Sequence, residues 1–169
     1  SKADGTISYF YKRKEGQDKL TQFELDQLIS NPPDYYLEQR FIKENITNLR
    51  KIGINIFLAK PYIIGASAEW SYQEKTIRIS PKVIKNGSLA FAQILNHEMI
   101  HVAQSCKNGG FSKVPKLIGL KESHPAKKII NLESFVYDGI NKYNTKLEIE
   151  AYNNQDDLRL GPRLLYRFC

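Results

Sequence analysis

Two histidines one helical turn apart, with a glutamate between them, constrain this chain more than any other feature. They lie in His97-Glu98-Met99-Ile100-His101, inside a segment that reads as a helix from about Leu89 to Ser105. Positions i and i+4 share a helix face, so both imidazoles can reach one ion, with Glu98 close enough to act on a water beside it. Only three histidines occur in the 169 residues, and two are used here. Catalytic zinc takes three protein ligands and keeps one position open. The fold must therefore bring a distant side chain back to this helix. Leu89, Ala92, Leu95, Val102 and Ala103 are expected on its core face.

The rest of the chain reads as one α+β domain over residues 1–169. Residues 1–18 are polar, with Tyr9, Phe10 and Tyr11, and suit an arm or a first strand. A short helix is expected from Leu20 to Ile29, capped by Thr21 with Glu24 three residues on, and ended by Asn31-Pro32-Pro33. A longer helix from Asp34 to Lys51 follows from the spacing of Tyr36, Leu37, Phe41, Ile42, Ile46 and Leu49. After Gly53 the pattern becomes β: Ile54 to Leu58, then Ile63 to Tyr72 and Thr76 to Ser80 joined by a turn at Gln73-Glu74-Lys75. Ile77 and Ile79 alternate with polar neighbours, which predicts a sheet with one buried face. Ser88 is the expected N-cap of the motif helix, and Gly109-Gly110 its stop. Residues 107–128 form a loop-rich basic insertion, followed by helices near 129–140 and 145–158.

Charge and cysteines narrow the setting. The net charge of +7 favours acidic partners without specifying a fold. Lys107, Lys113, Lys116, Lys121, Lys127 and Lys128 gather after the motif, a pattern that suits a solvated loop. No apolar run is long enough to span a bilayer. Ser1-Lys2-Ala3-Asp4-Gly5 does not read as a signal peptide. A start at Ser suggests a trimmed or processed chain, which leaves a removed signal open; the expectation is a soluble protein, cytoplasmic ahead of secreted after signal removal. Cys106 and Cys169 lack C-x-x-C partners, which rules out a cysteine zinc knuckle. Either they form one disulfide, or Cys106 is buried and Cys169 free. Asn45-Ile46-Thr47 and Asn86-Gly87-Ser88 match the glycosylation pattern by accident.

The third ligand is sought downstream. Glu148, in Leu147-Glu148-Ile149-Glu150-Ala151-Tyr152, sits 47 residues after His101, and a carboxylate is acceptable to zinc beside two imidazoles. Small Ala151 would let its helix lie close to the motif helix. Glu150 is the rival, because residues i and i+2 face different ways and only one can point at the ion. For the oxyanion of a peptide-cleaving reaction, Tyr137, Tyr143, His124 and Arg159 are available donors.

HEMIHVAQ followed by EIEAY resembles the gluzincin metallopeptidases, above all short bacterial zincin domains with HE-x-x-H-x-x-Q and then E-x-E-A-Y. The likeness runs from about Ile63 to Tyr152. It implies a zincin-like fold with one Zn2+ per chain, held by His97, His101 and Glu148, and with Glu98 as the general base of peptide hydrolysis. Many gluzincins carry Asp where this chain has Tyr152, to orient a ligand histidine; a phenol accepts a histidine N–H less strongly. The likeness also implies an edge strand, about Ile64 to Trp70 with Ala66, Ala68 and Trp70, antiparallel to a peptide or protein substrate. The same segment also fits a plain core hairpin. Gln104 and Lys107 exclude a metzincin. Two further expectations stand beside the peptidase: a zincin-fold binding or assembly domain without turnover, and a Spartan-like nucleic-acid-associated protease. The latter needs a third histidine near Asn108-Gly109-Gly110-Phe111.

Overall fold

The computed structural model describes residues 21–23, 26, 35–121 and 142–169. The chain divides into two units, Ser1–Asp34 and Tyr35–Cys169. In the first, Gln22 and Asp26 are helical, and Gln22 Nε2 donates to Asp26 Oδ1 one turn on. The expected arm over 1–18, the cap partner Glu24, the stop at Asn31-Pro32-Pro33 and the helix near 129–140 lie outside the described residues.

Among its described residues the second unit is α+β, with four α-helices around a small mixed sheet. Helix α1 (Tyr36–Lys51) buries Phe41 and Leu49 and half-buries Ile42 and Ile46, while Tyr36 and Leu37 remain exposed. Asn45 is also inside, its amide donating to Phe41 O, so it is no glycosylation acceptor. Gly53, at φ 94°, turns the chain into β1 (Asn55–Leu58). The strand order is β1-β3-β2, with β1 parallel and β2 (Ala68–Ser71) antiparallel to β3 (Thr76–Ile79). Ile77 and Ile79 are buried, as their alternation predicts, and Ala68 and Trp70 pack on the same core.

The strand expected from Ile63 to Tyr72 shortens to Ala68–Ser71. The physical cause is Glu69. Its buried carboxylate accepts from the backbone N–H groups of Tyr62 (2.8 Å) and Ile63 (3.3 Å), which are then not free to extend a ladder. Gly65, at φ 83°, bends the same segment. Ala66 therefore lies in a turn, its N–H donating to Ile63 O.

Pro81–Asn86 forms a 3-10 helix that the sequence reading missed, opened by Ser80 Oγ accepting from Lys82 N. The motif helix α2 spans Ser88–Lys107. Ser88 is its first residue rather than its cap; Gly87 holds the cap position with no side-chain bond. Leu89 is exposed, a departure from its expected core role. Leu95, Met99, Val102 and Cys106 pack toward the sheet and α1, while Ile100 and Ala103 pack against Ala151 and Leu164. The helix is buried continuously from Leu95 to Cys106 because it lies between these two layers.

Helix α3 is Lys142–Asn154, shorter than expected at its end, and α4 is Leu160–Phe168. Asn96 explains the break. Its Nδ2 donates to the carbonyls of Gln155 (2.8 Å) and Asp157 (2.9 Å), and its Oδ1 accepts from Gly161 N (3.0 Å). One buried amide thus fastens the α3–α4 turn to α2. Cys106 and Cys169 form a disulfide, which closes the choice left open by the sequence. No helix among the described residues is long and apolar enough to cross a membrane.

Candidate metal centre

The helical spacing of His97 and His101 puts their Nε2 atoms 3.0 Å apart, with the rings close to perpendicular. Helix α3 supplies the third group across 47 residues of chain. Glu148 Oε2 lies 3.1 Å from His97 Nε2, and Glu148 Oε1 lies 3.1 Å from His101 Nε2. Fully buried Ala151, one turn further, packs against Ile100 and Ala103 and gives α3 its close approach. Two imidazole nitrogens and one carboxylate converge within 4.8 Å of one another, and this cluster could hold a metal ion.

Glu150 takes no place in that cluster. It faces away, toward Gln104 and the backbone of residues 118–120. The two glutamates of α3 are separated by the geometry their i, i+2 spacing requires.

Electrostatics distinguish the carboxylates. Burial pushes the Glu98 carboxyl up to about 7, against the pull of the His97 and His101 charges. Its Oε2 is buried and has no hydrogen-bond partner among the described residues. A carboxylate oxygen left this way is costly unless something absent from the protein matrix uses it, such as a water on an ion. Burial disfavours charge on Glu148 too, yet the imidazoles of His101 and His97 outweigh it and hold its carboxyl well below the usual range. His101 responds in kind: burial would lower it, but Glu148 wins and raises it to about 10. Without an ion, a proton thus sits in this cluster.

Each histidine is steadied from behind by a glutamine. His97 Nδ1 lies 3.0 Å from Gln155 Oε1, and His101 Nδ1 lies 2.7 Å from Gln104 Oε1. Tyr152 does something other than accept a histidine N–H: its ring lies against that of His97, centroids 4.5 Å apart, and burial pushes its hydroxyl up to about 12. Gln155, just past the end of α3, was missed by the sequence reading.

The weaker candidates scatter. Arg159 is exposed and paired with Asp157, Nε to Oδ1 at 3.0 Å. Tyr143 lies in the first turn of α3, its side chain outside the described residues, as are His124 and Tyr137 entirely. Ala68 and Trp70 point into the core, with Trp70 Nε1 donating to Ser105 Oγ of α2 (2.9 Å). Among the described residues β2 is an edge of the sheet, with no strand on its outer side. Compared with known proteins, the chain matches no family model, no curated protein and no solved structure.

Proposed function

We propose that this protein is a zinc-dependent peptidase of minimal gluzincin type. The observation that carries the reading is the buried Oε2 of Glu98, without a partner among the described residues, beside the His97, His101 and Glu148 cluster. The donor set suits zinc, which when bound would lower the pKa of a water toward about 7 and polarise a carbonyl.

The chain's own residues account for the remaining work. Glu98, raised toward neutrality, takes a proton at Oε2 from the attacking water and returns it to the leaving amine. Gln155 and Gln104 hold the two imidazoles in orientation. The open edge of β2 offers N–H and C=O groups to an extended peptide. Of the alternatives, a Spartan-like site has less support, because the carboxylate beside His97 and His101 is that of Glu148 and suits the third position without a further histidine. A domain that only binds has lost one of its motives, since Gln155 does the orienting that Tyr152 does not.

Two substitutions test the reading. Glu98→Gln should keep zinc, measured by elemental analysis after dialysis, while hydrolysis of a peptide library falls by a factor of about 10² or more. Glu148→Ala should lose most of the zinc. Undiminished cleavage by Glu98→Gln would sink the mechanism. Zinc in the wild type with no cleavage of any peptide would favour the binding domain.

A further inference from the structure

Glu150 is buried at the centre of a hydrogen-bond hub. Its Oε1 accepts from Gln104 Nε2 (3.1 Å) and Ile118 N (2.8 Å), and its Oε2 from Gly119 N (2.8 Å) and Leu120 N (3.1 Å). Four donors converge on one side chain, three of them backbone groups of the loop that follows α2. Gln104 is fully buried, and its Nε2 donates also to Leu147 O (3.1 Å). A carboxylate and a carbonyl can only accept, so the Gln104 amide cannot be turned around. Its Oε1 therefore faces His101 Nδ1, at 2.7 Å. An acceptor there requires the hydrogen on Nδ1, which leaves the Nε2 lone pair for an ion.

We infer that Glu150 is a positioning residue for the metal centre: it clamps residues 118–120 and, through Gln104, fixes the tautomer and orientation of His101. This rests on the metal-binding half of the proposed function and is independent of peptide cleavage. Glutamate is the residue the hub demands. Glutamine has nearly the same shape, but its NH2 would confront N–H donors on either side.

The test uses the full chain and zinc alone, with affinity measured by competition against a chromophoric chelator. Glu150→Gln should weaken zinc binding about tenfold or more. Gln104→Met should do the same while leaving the loop bonds of Glu150 in place, and it carries the test if Glu150→Gln does not fold. Acting along one path, the two substitutions together should cost no more than the larger alone. In the zinc-loaded protein, the Nδ1–H proton of His101 should shift upfield and exchange faster with solvent in both variants. A purely structural Glu150 would lower the unfolding temperature and move neither readout. Zinc affinity in folded Gln104→Met within twofold of wild type, or additive losses in the double variant, would overturn the inference alone. A wild type that binds no zinc would overturn the metal reading and this inference with it.

Discussion

Among single residues, a metal ion held by His97, His101 and Glu148 would compete with a proton. His101 holds a proton up to about 10 when no metal is present, well above its ordinary 6.5, because Glu148 stands beside it. Zinc requires that nitrogen bare, so binding must expel the proton. Apparent zinc affinity should then rise by about tenfold per pH unit from near neutrality toward pH 10. Chelator competition at several pH values measures this slope, and a flat profile would mean His101 is not protonated in the free site. The local part of this chemistry was legible in the sequence, because His97 and His101 are joined by helix geometry alone. Glu148 was legible as a carboxylate on a downstream helix beside small Ala151, and the likeness of its motif added to that. Gln104 to Glu150 and His97 to Gln155 were not, since contacts across 46 and 58 residues leave no mark in local spacing. Tyr152, which the likeness marks as a weak substitute for an orienting carboxylate, lies with its ring against that of His97.

At the level of elements, the reading succeeded where burial follows a simple period and failed where a side chain captured the backbone. Alternation located β3, and apolar spacing located α1 and α2. Ile63 and Ile64 looked like strand, but Glu69 claims the N–H of Ile63. Helix α3 stops before residue 158 because Asn96 holds the carbonyls of Gln155 and Asp157. Helix α4 was missed behind Gly161-Pro162, which resemble a break, yet proline is tolerated in a first turn because its missing N–H would have no partner within the helix. Gly161 has its own reason: a Cβ there would collide with Asn96 Oδ1 and lie 3.2 Å from Met99 Cβ. Gly161→Ala should cost about 1–3 kcal/mol, despite the better helix propensity of alanine. Denaturant melts read the loss. A stabilised variant would show that α4 shifts freely on α2.

On the scale of the whole molecule, the Cys106–Cys169 bond spans 63 residues and ties the end of α2 to the end of α4. Closing a loop of that length stabilises by about 4 kcal/mol in the chain-entropy account. Cys169→Ser should lower stability by about 2–4 kcal/mol in urea melts, and reductant should do the same to the wild type. Equal stability with and without the bond would mean that packing of α4 on α2 already holds the end. The edge at β2 has a different consequence, for behaviour in concentrated solution. Four residues of strand extend only about 13 Å and present roughly two outward pairs of backbone groups. Such an edge can grip a passing strand briefly but offers little template for another copy to zip along. Among the described residues, the brevity of this edge and a net charge of +7 both work against its becoming a seed for fibrils.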